Sequence, residues 1–146
     1  MQPGLVIDRN THSIELERTF DATPAQVFDA WTRPEHIACW WDPAGAALAV
    51  CEIDLQPGGS FKFVSQNHPD RPFAGTYLEI VPSERIVFEA LGAVGRVLID
   101  ADGRHTRLKV QIQCRSATHL EQFLQSGVHT GTSRTLDNLS AYLRSI

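Results

Sequence analysis

The stretch ATHLEQFLQSGVHTGTSRTLDNLSAYLRSI, residues 117–146, decides how the rest of this chain must be read. It contains no proline, and Leu120, Phe123, Leu124, Val128, Leu136, Leu139, Tyr142, Leu143 and Ile146 recur at three- and four-residue steps. That is the period of a helix with one buried face. The spacing predicts one long helix or two in tandem; a continuous one would run roughly 40 Å. Its apolar face is not straight. Leu120, Phe123, Leu124, Gly127 and Gly131 cluster on one side, while Leu136, Leu139, Leu143 and Ile146 lie about a quarter-turn away at about 100° per residue. A kink or break is expected where the phase changes, at Gly127 to Gly131. A helix of this length needs an extended partner surface, and the preceding residues must supply it.

Working back from residue 117, the chain is strand-like. His105 to Arg115 alternates strictly, with Thr106, Leu108, Val110, Ile112 and Cys114 on one face and Arg107, Lys109, Gln111, Gln113 and Arg115 on the other. One face in water and one on a core is the mark of an antiparallel strand. Asp102-Gly103 is a tight-turn pair joining it to Val94–Asp100. Arg85 to Leu91, Phe73 to Val81, Ser60 to Gln66 and Ala47 to Leu55 complete a run of six strands. Gln56-Pro-Gly-Gly59 and Pro82-Ser-Glu84 mark turns, and residues 67–72 a loop. Nearer the N-terminus, Thr23-Pro24 with Gln26 reads as a capping box opening a helix, and Pro34 to Trp41 as a second short helix. His12 to Phe20 is a half-buried strand with Ile14, Leu16 and Phe20 inward. Arg18 interrupts its apolar side and is expected to snorkel at the strand end. Residues 1–10 are read as an N-terminal tail to a single domain spanning 1–146. The order is strand, two short helices, six strands, long helix. Helices segregated from an antiparallel sheet give an α+β fold, with a curved sheet wrapped around the terminal helix.

Composition excludes several functions. The net charge is −4 with no basic run, so nucleic acid is not an expected partner. No apolar stretch approaches the roughly 20 residues needed to span a bilayer. The first ten residues lack a signal-peptide pattern. Cys39, Cys51 and Cys114 are widely spaced, an odd count that suits unpaired thiols and a cytoplasmic location. The histidines are scattered without ligand spacing, so neither a metal nor a cofactor is expected.

Several motifs carry a family resemblance. They are Arg18-x-Phe20-Asp21-Ala22, Val27-Phe-Asp-Ala-Trp-Thr32, Pro34-Glu-His36, Trp40-Trp41 and Pro57-Gly-Gly-x-Phe61, followed by Gly75-x-Tyr77-x-Glu79 through Phe88. Thr106-Arg-Leu108 and Leu136-Asp-x-Leu139-x-x-Tyr142-Leu143 continue it to the C-terminus. Nearly the whole chain thus resembles the helix-grip proteins related to the Hsp90 ATPase activator, within the START-like superfamily. The resemblance implies a sheet gripping a long C-terminal helix, in agreement with the residue pattern. It differs at one point: the family usually has Gly-Trp where this chain has Gly131-Thr132, and losing an indole there leaves volume.

Space between a curved sheet and a helix suits an apolar ligand. The expected lining is Trp41, Phe61, Phe63, Tyr77, Phe88 and Phe123, with a polar accent from His129 or Thr132. A small apolar or aromatic molecule is therefore the first expected partner, and a homodimer is left open. An enzyme of the cyclase or dehydratase type on the same cavity is the alternative. Its acid–base candidates are His129, Tyr77, Glu79, Cys114 and Arg96. No sequence feature assigns a catalytic role to any of them. A co-chaperone role stands third. The additional N-terminal domain through which the activator engages Hsp90 is not expected in a chain of this length, so an Hsp90-type chaperone is not an expected partner.

Overall fold

The computed structural model describes residues 4–146. Its strands are β1 (Leu5–Asp8), β2 (Ser13–Phe20), β3 (Leu48–Ile53), β4 (Ser60–Ser65), β5 (Phe73–Val81), β6 (Arg85–Ala90), β7 (Ala93–Asp102) and β8 (His105–Gln113). The helices are α1 (Pro24–Thr32), α2 (Pro34–Trp40), α3 (Ala117–Gln125) and α4 (Val128–Ser145). All eight strands form one antiparallel sheet in the order β1-β2-β8-β7-β6-β5-β4-β3, and this is the helix-grip arrangement. The chain from Leu5 to Asp8 is not a tail: it pairs with β2 through Leu5↔Leu16 and Ile7↔Ile14 as an edge strand. Residues 1–3 of the expected tail lie outside the described residues.

Local chemistry fixes the first helix. Thr23 accepts from the Gln26 N–H, and the Gln26 side chain accepts from the Thr23 N–H, so the capping box forms as the spacing requires. Pro34 opens α2 after an extended Arg33. Both helices press apolar residues inward: Val27, Phe28 and Trp31 from α1, Ile37 and Trp40 from α2. Trp40 is fully buried and its Nε1 donates to Ala30 O at 3.0 Å, which locks the two helices together.

The sheet's inner face carries Ile14, Leu16 and Phe20 of β2, Val97 and Ile99 of β7, and Thr106, Leu108 and Val110 of β8, all buried. The β8 register places Leu108 opposite Arg18 and Val110 opposite Leu16. Arg107 and Lys109 face outward, where they approach Glu17 and Glu15 across the strand pair. The alternation of β8 therefore reads the correct way round. Arg18 does more than snorkel. Its Nη2 donates to Ser133 Oγ at 2.7 Å and its Nε lies 3.7 Å from Asp137 Oδ1, so it clamps β2 to α4.

The terminal stretch is two helices. Gly127 adopts φ 76° and is the N-cap of α4, while Ser126 ends α3. A left-handed residue cannot continue a right-handed helix, so the break falls there. Gly131 sits in regular helix, its N–H bonded to Gly127 O at 2.9 Å. Splitting the segment lets each half turn its own apolar stripe inward: Leu120 from α3, and Leu136, Leu139 and Leu143 from α4.

Candidate functional site

An apolar cavity of about 260 Å³ lies between α4 and the sheet. Its sheet wall is Phe88, Ala90, Ala93, Gly95, Val110 and Ile112. These are inward positions of three neighbouring strands, and three of them, Ala90, Ala93 and Gly95, are small. Its helical wall is Val128, Gly131, Thr132, Thr135 and Leu136. Those spacings describe one face of a helix beginning at Val128. Trp31, Trp41, Phe73 and Phe123 close the ends, and Pro43 and Leu91 stand at exposed positions of the lining.

The small residues of the wall make the space. Gly95 faces Phe88 across β6 and β7, and a Cβ on Gly95 would come within 2.4 Å of the Phe88 ring. A Cβ on Gly131 would meet nothing nearer than Pro43 Cγ at 3.8 Å. Thr132 belongs to the wall.

The loop bearing Pro43 is held by Asp42, which is buried. Asp42 Oδ2 accepts from Ala44 N–H at 3.1 Å and Ala46 N–H at 3.2 Å, and Oδ1 accepts from Ser65 Oγ at 2.7 Å. A buried carboxylate is tolerated where its lone pairs are met in this way. Two side chains of α4 reach carbonyls just beyond the end of α2. Thr135 Oγ1 donates to Trp41 O at 3.2 Å, and Asn138 Nδ2 donates to Asp42 O at 2.9 Å. Trp41 is thereby fixed against α4, while its ring packs 5.0 Å from Phe63 and 5.2 Å from Phe73.

The eight residues singled out from sequence do not all meet here. Trp41, Phe88, Phe123 and Thr132 line the cavity. Phe61, Phe63 and Tyr77 instead pack into an aromatic cluster beside it, with ring centroids 5.1–5.2 Å apart. That cluster leaves a void of only about 20 Å³, room for about one water. The expectation that all six aromatics surround one open space is corrected: three of them are solid core, because Phe61 packs on Phe63, two residues along β4, and on Tyr77 of neighbouring β5.

His129 is not on the wall. It is absent from the cavity lining although its neighbour Val128 and Leu136, two turns on, both belong to it. Its Nδ1 is buried without a hydrogen-bond partner. Nor does the polar accent come from Thr132, whose hydroxyl donates to Val128 O at 2.7 Å, one turn back in its own helix. Thr135 spends its proton similarly, on Gly131 O and Trp41 O.

The acid–base candidates are dispersed. Glu79 is exposed and ion-paired with Arg85. Arg96 alternates with inward Gly95 and Val97 and so faces the outer side of the sheet. Cys114 is buried, and burial raises its pKa, the wrong direction for a nucleophile. Tyr77 lines the small void, and burial, with the Cys51 thiol beside it, holds its phenol protonated. Cys39, Cys51 and Cys114 are all free thiols.

Sequence reading missed most of the lining, the small sheet residues Ala90, Ala93 and Gly95 and the set Trp31, Pro43, Phe73, Val128, Thr135 and Leu136 among them. The helical set was legible as an i, i+3, i+4, i+7, i+8 series once the break is placed at Gly127. Pro43 had no signal, because a loop's position depends on what holds it. Among the described residues, no group of three or more His, Cys, Asp or Glu could hold a metal ion. Among them also, no helix is long and apolar enough to cross a membrane.

Solved structures share this architecture at low identity. Protein NE0264 from Nitrosomonas europaea is 21% identical, with TM-score 0.83 over 96% of this chain and 98% of that one. A Rhodobacter sphaeroides protein is 19% identical, with TM-score 0.86 over 97% of each chain. The AHSA1-like protein from Aeromonas hydrophila is 21% identical, with TM-score 0.76 over 91% of this chain and 92% of that one. At such identity the likeness shows the fold. No curated protein matches the sequence. Residues 21–144, from the end of β2 to the last turn of α4, match the family described as Activator of Hsp90 ATPase homolog 1-like protein, and the chain belongs to that family.

Proposed function

We propose that this chain is a single START-like binding domain of the cytoplasm that holds a small hydrophobic or aromatic molecule between its sheet and α4. The observation that carries the reading is the cavity of about 260 Å³ with its almost wholly apolar wall. An engineered apolar cavity of roughly 150 Å³ already takes up benzene, so this one has room for a larger guest. Solvent-filled apolar walls forfeit both contacts and the hydrophobic gain of about 25 cal/mol per Å² that a guest would return. An enzymatic reading finds less support. None of His129, Glu79, Arg96 and Cys114 lines the cavity, and Tyr77 borders only the small void.

The test is Thr132→Trp, beside a screen of the parent with a polarity-sensitive dye and neutral aromatic compounds. The indole should occupy the cavity, abolish dye uptake and leave the melting temperature level or raised. A parent that takes up no probe, together with a variant destabilised by about 1–3 kcal/mol through overpacking, would remove the proposal.

A further inference from the structure

The cavity meets solvent at Pro43 and Leu91, the two exposed residues of its lining. Leu91 stands in the β6–β7 turn in a conformation that leucine rarely adopts: φ is 54° there and 77° at Gly92. One side chain ties this turn to α3. His119, in the first turn of that helix, has Nε2 3.2 Å from Leu91 O, and its Nδ1 accepts from the Arg115 N–H at 3.1 Å. Its ring also packs edge-on against Phe123, with centroids 4.6 Å apart, and Phe123 is itself part of the lining. Leu91, His119 and Phe123 thus bridge the turn and α3 at the rim of the cavity.

The two backbone partners define the form of the ring. The Arg115 N–H can only donate, so Nδ1 is bare; Leu91 O can only accept, so Nε2 carries the proton. That is neutral imidazole. An imidazolium would turn a second N–H toward the Arg115 N–H and lose that bond. The charged groups around the ring are the Arg115 guanidinium, which a Cβ on Gly92 would meet at 2.5 Å, Glu121 of α3, paired with Arg9, and Glu89 at an exposed position of β6. The helix is otherwise lightly held: Leu120 is its one buried residue, and left-handed Gly127 separates it from α4.

We propose that the cavity opens between the β6–β7 turn and α3, and that neutral His119 is the latch closing this entrance, released when the ring takes up a proton. His119 is then a positioning residue for the mouth. This rests on the cavity being a binding site and adds how access to it is regulated.

The test is His119→Phe, which keeps a ring against Phe123 and removes both hydrogen bonds. The probe is 1-aminonaphthalene, an uncharged two-ring fluorophore, mixed with the protein in stopped flow. A latch alters rates and spares affinity, because it shifts the population of the open state and leaves the walls of the closed complex alone. Association and dissociation should both be about tenfold faster in His119→Phe at about pH 8, with Kd held within about twofold. In the parent both rates should rise together between about pH 8 and about pH 5.5, and in the variant they should not. His119→Gln, whose amide can still donate to Leu91 O, should stay nearer the parent's rates and show no rise in acid. Amide hydrogen exchange of residues 117–125 reads the same latch without a ligand, and should quicken in His119→Phe. Exchange of α3 left unchanged, or a Kd that moves while the two rates do not move together, would overturn the inference and leave the binding function standing. A parent that takes up neither this probe nor any in the dye screen would remove the binding function and the latch with it.

Discussion

The ring of Phe88 lies over Gly95, its cross-strand partner, and fills the place where a side chain on Gly95 would stand. An aromatic ring laid on a glycine is a stabilising device in a sheet, because it covers a backbone that would otherwise be bare. Here it also sets the depth of the cavity, since both residues form its wall. Gly95→Ala should push the ring inward. We expect a loss of about 1–3 kcal/mol in chemical denaturation and a reduced uptake of apolar dye. A variant as stable as the parent would mean that Phe88 swings away freely.

The two glycines of the terminal segment should respond with opposite sign. Gly131 is in regular helix with open space around its missing side chain, so Gly131→Ala should stabilise by about 0.5–1 kcal/mol through helix propensity. Gly127 also has open space, but its φ of 76° penalises any side chain. Gly127→Ala should therefore destabilise by about 1–2 kcal/mol. Thermal melting of the pair checks both. Equal effects would contradict the placing of the break at Gly127.

Asp42 organises a loop rather than a reaction. Asp42→Ala removes the acceptor for two backbone N–H groups and the Ser65 hydroxyl at a buried position. A loss of about 3 kcal/mol is expected, with faster proteolytic cleavage within residues 43–47. Stability lost without new cleavage would show that Asp42 supports the core and leaves the loop alone.

Alkaline pH should weaken the fold. The Cys51 thiol is pushed up from 9.0 to about 11, chiefly by burial and then by the Glu35 carboxylate. Burial raises the Tyr77 phenol in the same direction. Between those two values the folded chain keeps a proton at Cys51 that the unfolded chain has released. Stability from this group is thus complete below pH 9.0 and declines as pH rises through about 11. Melting temperature should hold to about pH 9 and fall above it, with a shallower fall in Cys51→Ala despite a lower starting point. An unchanged slope in that variant would assign the alkaline loss to other groups.

Much of this protein was settled by local pattern. The capping box at Thr23, the alternation of β8 and the apolar steps of α4 each follow from residues near in sequence, whose periodicity or capping chemistry needs no distant partner. These were enough to place six strands between the helices and to put Leu108 and Val110 inward. The strand Leu5–Asp8 was not legible, because a four-residue edge strand is made by the neighbour it pairs with. The role of Arg18 was hidden for the same reason: its partners Ser133 and Asp137 lie more than a hundred residues away.

Sequence also drew attention to aromatics and to Thr132, and four of the eight residues chosen do border the cavity. Which aromatics leave room and which fill it could not be read from residue type. Phe61, Phe63 and Tyr77 close on one another across β4 and β5, while Phe88 lies over Gly95 and leaves space beyond it. Hydrophobic character determines that a side chain goes inside, and that is written locally. Whether the inside is solid or hollow depends on how side chains from distant strands and helices meet, and only tertiary packing decides that.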